Sequence, residues 1–99
     1  MSIIMEWYLY MIRCGDGSFY TGITTDVDRR LSDHRSNSGK GARYLRGRNP
    51  MTLVFQKKLG NKSLALIVEN KVKKLSKKRK EQLIDDTTII DKIIKQVGA

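Results

Sequence analysis

Tyr10 and Tyr20 lie ten residues apart, Arg30 and His34 four apart, and Glu69 stands alone among cations farther on. An arginine fork matches the oxygens of a phosphate. A histidine titrates near neutral pH and relays protons. A single carboxylate can hold a hard cation such as Mg²⁺ when substrate phosphates supply further oxygens. Fixed positive charge around a phosphorus and a poised proton acceptor are what phosphodiester hydrolysis asks for. Each residue also has a plain reading: two tyrosines in a core, Arg30 and His34 on a solvated helix face, and Glu69 paired with Lys73 at i, i+4.

Whether the two tyrosines meet depends on one turn. Trp7 to Cys14 is aromatic and apolar and reads as a buried strand, Gly15-Asp16-Gly17 is turn chemistry, and Ser18 to Gly22 resumes as a second strand. A three-residue loop puts residue 10 opposite 22 and residue 12 opposite 20, so both tyrosines share a face. A two-residue Asp16-Gly17 loop would separate them. Gly17 suits the left-handed position of a three-residue loop, which favours the shared face. Thr25 or Asp26 caps a helix to about Ser36 with Val27 and Leu31 inward, placing Arg30 and His34 one turn apart on one side.

The remaining elements follow from pattern. Ser36 to Pro50 holds three glycines and the only proline and reads as a long, basic, mobile loop. Met51 to Lys58 is a third strand. Lys62 to Leu75 is a helix with Leu64, Val68, Val72 and Leu75 on one face, carrying Glu69. Ser76 caps a basic helix to Ile84. Asp85-Asp86-Thr87 opens a last helix, about 87–97, with Ile89, Ile90, Ile93, Ile94 and Val97. The order ββαβααα gives an α+β class: a small, three-stranded, mostly antiparallel sheet flanked by helices, in one domain over 1–99.

Charge narrows the partners. Twenty Lys and Arg against ten Asp and Glu give a net charge of +10, an excess that a polyanion would offset. From Lys57 to Lys80 ten basic residues face one acidic residue, Glu69. No apolar run reaches the ~20 residues of a membrane span. The lone Cys14 cannot form an internal disulfide, which points to a reducing, cytoplasmic setting and excludes a cysteine zinc site.

In order and spacing, Tyr8-Leu9-Tyr10, Tyr20-Thr21-Gly22, Arg30-Leu31 with His34, and Glu69 in a later helix resemble the GIY-YIG nuclease domain over about 7–84, in particular its small bacterial subfamily. The resemblance implies a DNA endonuclease using one divalent metal, Mg²⁺ or Mn²⁺. It implies that Tyr10 and Tyr20 are the motif tyrosines, Arg30 the catalytic arginine, Glu69 the metal ligand, and His34 an accessory proton carrier. Three positions depart from the pattern. Tyr8 replaces the first glycine, Ile23 stands where some members carry lysine, and Lys80-Glu81-Gln82 lies where many place an asparagine.

A DNA surface is expected beside this site. Lys40, Arg43, Arg46 and Arg48 interleave with Tyr44 in the loop, and Lys73 and Lys77 extend the cations across the later helices. No helix-turn-helix or zinc-finger spacing is present, so backbone or structural recognition of branched, damaged or single-stranded DNA is favoured. The alternative is a catalytically weak or inactive nucleic-acid-binding module of the same fold. A third reading makes the isoleucine helix an interaction face. The expected state is a monomer, with a weak dimer through that helix as the variant.

Overall fold

The computed structural model describes residues 5–36 and 41–98. Its elements are β1 (Trp7–Arg13), β2 (Phe19–Thr24), α1 (Val27–Arg35), a 3₁₀ turn (Arg43–Leu45), β3 (Thr52–Gly60), α2 (Lys62–Lys73), α3 (Lys77–Asp85) and α4 (Thr87–Gly98). This is the expected α+β order. The sheet runs β2-β1-β3, antiparallel throughout.

The central position of β1 explains its composition. Leu9, Tyr10, Met11 and Ile12 are all essentially buried, because helices or loop cover both faces of the strand. Leu9 and Met11 join Phe55, Val68, Val72, Leu83 and Ile90 on the side of α2, α3 and α4. Tyr10 and Ile12 join Cys14, Val27, Leu31, Leu45 and Met51 on the side of α1. Alternate residues of one strand therefore feed two cores.

Capping residues mark the helix starts. Asp26, rather than Thr25, caps α1 by accepting from the Arg29 N–H. Asn61 caps α2 through Leu64 N–H and Ser76 caps α3 through Arg79 N–H. The α2 face is the expected one: Val68 and Val72 are buried and Leu64 and Leu75 pack, partly buried, against the same core, while Ala65 is buried as well. The helix ends at Lys73, so Leu75 sits in the turn, its N–H donating to the Val72 carbonyl. The isoleucine stripe of α4 is core-facing, with Ile90 fully buried and Ile89, Ile93, Ile94 and Val97 packed beside it. Leu66 and Ile67 of α2 are each 45% exposed.

Among the described residues, no helix is long and apolar enough to cross a membrane.

Candidate active site

The hairpin makes the three-residue loop. Cys14 N–H donates to the Ser18 carbonyl at 2.8 Å, Gly17 N–H to the Cys14 carbonyl at 2.9 Å, and Gly17 has φ +84°. Tyr10 then pairs with Gly22 and Ile12 with Tyr20. Tyr10 and Tyr20 become diagonal neighbours on the α1 face, their rings 6.2 Å apart between centroids.

Gly22 is the floor under the Tyr10 ring. A Cβ built at Gly22 would lie 2.6 Å from Tyr10 Oη and 2.8 Å from its Cζ. Only a residue without a side chain leaves this tyrosine room to lie across the neighbouring strand.

The Tyr10 hydroxyl reaches His34 Nε2 at 2.8 Å. His34 is buried, contrary to a solvated helix face. Its Nδ1 accepts the Ala42 backbone N–H at 3.0 Å, so the single proton of a neutral imidazole sits on Nε2 and is donated to Tyr10. Burial, and then the Arg30 charge, lower the His34 pKa to about 4. His34 therefore departs from the expected group titrating near neutrality; at pH 7 it is a neutral donor of fixed orientation. Gly41 allows this, since a Cβ there would lie 2.8 Å from both the Asp33 carbonyl and His34 Cα. The loop can thus press Ala42 onto the last turn of α1.

Burial holds the Tyr10 hydroxyl protonated well above the ordinary tyrosine range. The neighbouring Tyr20 adds to this, while Arg30 opposes it through a hydrogen bond and its charge. Arg30 also lies 4.0 Å from Asp33 within α1. Tyr10, Tyr20, Arg30 and His34 are thus brought together.

Tyr20 is half-buried and forms the outer edge of this cluster. It meets the His34 ring edge-on at 5.3 Å and stacks on Tyr44 at 6.0 Å. The Arg48 guanidinium covers the Tyr44 ring at 4.3 Å, donates to the Tyr44 carbonyl and pairs with Asp16 in the hairpin turn. Gly15 N–H donates to the Arg48 carbonyl, closing the same junction. The described part of the expected mobile loop is therefore anchored, with Leu45 and Met51 buried beneath it. Arg48 braces Tyr44 and is no longer a loose cation for phosphate.

A cleft of ≈ 300 Å³ opens beside Tyr20, lined also by Phe19, Thr21, Tyr44, Lys73 and Lys80. It follows β2, an outer strand of the sheet. Glu69 stands one helical turn from Lys73, its carboxylate 3.6 Å from the ammonium and its side chain 15% exposed. The plain reading of Glu69, an i, i+4 pair, is thus realised, and its partner Lys73 lines the cleft. Thr21 Oγ1 is buried without a hydrogen-bond partner among the described residues. Lys77 approaches the hairpin turn, its Nζ 3.5 Å from where a Gly17 Cβ would lie. Lys80, one of the run of cations expected to extend the nucleic-acid footprint, joins Lys73 in lining the cleft, and sequence reasoning gave Thr21, the middle residue of Tyr20-Thr21-Gly22, no role of its own.

Other expected contacts lie elsewhere. Arg43 and Arg46 are exposed, and Arg46 lines a second cleft of ≈ 290 Å³ behind His34, with Gly41, Ala42 and Met51. Lys40 falls outside the described residues.

No three His, Cys, Asp or Glu side chains cluster as a cation cage among the described residues. The donor chemistry at Glu69 fits a different arrangement: one carboxylate paired with a lysine that lines the cleft, with water and substrate supplying the remaining oxygens.

Comparison with known proteins agrees with this architecture. The GIY-YIG catalytic domain model matches residues 6–82. The chain is 48% identical over 88 residues to the UPF0213 protein YhbQ of an Escherichia coli strain, covering 89% of this chain and 86% of that protein. It is 53% identical over 79 residues to a UPF0213 protein of Cronobacter sakazakii, covering 80% and 81%. Two solution NMR structures are similar. The UPF0213 protein BH0048 from Bacillus halodurans has a TM-score of 0.53 at 51% identity, covering 82% of this chain and 84% of that one. The protein EF2693 from E. faecalis has a TM-score of 0.61 at 40% identity, covering 90% and 93%.

Proposed function

Because the chain belongs to the GIY-YIG catalytic domain family, a nuclease family, we propose that it is a metal-dependent endonuclease hydrolysing DNA phosphodiester bonds. Branched, damaged or single-stranded DNA is the favoured substrate, and the setting is the cytoplasm. The observation that carries this reading is the shared cluster of Tyr10, Tyr20, His34 and Arg30 beside a cleft rimmed by lysines.

The geometry supports unequal roles for the tyrosines. Tyr10 is 2% exposed and its phenolate is disfavoured by burial. It accepts the His34 Nε2 proton and is a positioning residue. Tyr20 reaches the cleft, so its oxygen, once its own proton has passed to solvent, takes the proton leaving the attacking water. Arg30 stabilises the charge that grows on the phosphate. Glu69 would hold the cation, Mg²⁺ or Mn²⁺, which when bound supplies charge neutralisation of the phosphate and the leaving 3′ oxygen. The products are a 5′ phosphate and a 3′ hydroxyl.

The test is cleavage of single-stranded, nicked, branched and duplex DNA with Mg²⁺ or Mn²⁺. Wild type should cut, and Glu69→Ala and Arg30→Ala should each lose roughly 10²-fold or more in rate. The Glu69–Lys73 pair favours a second reading, a binding module that does not cut. Under it, no protein in the series cuts, and Glu69→Ala binds DNA more tightly by removing a negative charge.

Binding also has a salt signature. Removing Arg43 and Arg46 together should flatten the dependence of log affinity on log salt by roughly two units, about one per lost phosphate contact. Adding Arg48→Ala should change the slope little further, since that guanidinium is engaged by Asp16 and Tyr44. A slope unchanged by the double substitution would take this loop out of the interface.

A further inference from the structure

Lys73 occupies a position where two negative groups compete for it. Its ammonium is 3.6 Å from the Glu69 carboxylate, beyond the usual 2.7–3.2 Å of a directed hydrogen bond. The pair is held by charge alone. Glu69 is 15% exposed, whereas Lys73 is 49% exposed and lines the cleft with Tyr20, Thr21 and Lys80. A phosphodiester entering that cleft meets the same ammonium.

We propose that Lys73 is an exchangeable counter-ion for Glu69 that couples cation binding to phosphate binding at this cleft. The inference rests on the nuclease reading above. In the free protein Lys73 neutralises Glu69 and repels an arriving dication, with Lys80 adding to the positive field. When a phosphate takes up the ammonium, the mostly covered Glu69 carboxylate loses its partner. A buried charge without a partner is costly, so the affinity of Glu69 for a hard cation rises. Thermodynamic reciprocity requires the converse: cation at Glu69 frees Lys73 and tightens phosphate binding by the same factor.

The experiment compares wild type, Lys73→Met and Glu69→Gln. Mn²⁺ binding to the free proteins is followed by electron paramagnetic resonance. Binding of a fluorescent branched oligodeoxynucleotide is followed by anisotropy, with and without Ca²⁺. Melting curves check the fold, which a half-exposed surface lysine should not disturb. Lys73→Met should bind Mn²⁺ roughly three- to tenfold more tightly than wild type, the scale of one screened like-charge contact removed. The gain in DNA affinity that Ca²⁺ gives wild type should shrink in Lys73→Met. Glu69→Gln should lose both Mn²⁺ binding and the Ca²⁺ effect. Equal or weaker Mn²⁺ binding by Lys73→Met, with an unchanged Ca²⁺ effect, overturns the counter-ion role and leaves the nuclease reading intact. Absence of Mn²⁺ binding in wild type and Lys73→Met, with and without DNA, overturns the cation role of Glu69 and the role of Lys73 with it.

Discussion

Tyr20→Phe should lower the single-turnover cleavage rate by roughly 10²–10⁴-fold, the range for losing a positioned proton acceptor. Tyr10→Phe should cost only about tenfold, because that hydroxyl orients its neighbours. The contrast comes from their surroundings. Tyr10 lies across Gly22 in the interior, bonded to a neutral His34 and kept protonated by burial. Tyr20 opens to the cleft, with its ring supported by Tyr44 and the edge of His34. Tyr20→Phe retains both ring contacts, so its melting temperature should stay near that of wild type. Tyr10→Phe leaves the buried Nε2–H of His34 without an acceptor, at a cost of about 1–3 kcal/mol. The two variants should separate along opposite axes, one in rate and the other in stability. A reversed order of rates would identify Tyr10 as the acceptor and require the hydroxyl cluster to open when substrate binds.

Gly22→Ala should damage both properties at once. The added Cβ would stand 2.6 Å from Tyr10 Oη and 3.0 Å from Cε1, so the ring must move. Moving it breaks the 2.8 Å contact with His34. Overpacking of this kind costs about 1–3 kcal/mol, which in a domain of this size lowers the melting temperature by roughly 4–20 °C. Misplacing the hydroxyl cluster by several tenths of an ångström should cost about 10²-fold in rate. The shortest clash is with the hydroxyl itself. Gly22→Ala should therefore be less destabilising in a Tyr10→Phe background than in wild type, a coupling that a double-mutant cycle measures. Strictly additive melting shifts would show that the ring does not press on position 22.

The parts of the fold legible in the sequence are those governed by local rules. The Gly15-Asp16-Gly17 loop sets the register of β1 on β2, and that register puts Tyr10 and Tyr20 on one face. Spacing alone likewise places Arg30 and His34 on one side of α1. What was not legible depends on contacts between distant segments. The register puts Gly22 opposite Tyr10, twelve residues earlier, but does not give the lie of the Tyr10 ring across it. His34 reads as an ordinary titrating group until Gly41 and Ala42 close over it and decide its tautomer. Arg48 reads as a phosphate contact until Asp16, thirty-two positions earlier, takes its charge.

The placement of the cleft along β2 also bears on how the protein stays dispersed. A strand at the margin of a sheet presents unpaired backbone donors and acceptors, a template for another chain to extend. β2 is such a strand, and Lys73, Lys77 and Lys80 stand beside it from the cleft to the hairpin turn. Their mutual repulsion between molecules makes them gatekeepers against strand addition. Removing all three to weaken nucleic-acid binding would leave a less charged margin and a protein prone to self-association at high concentration.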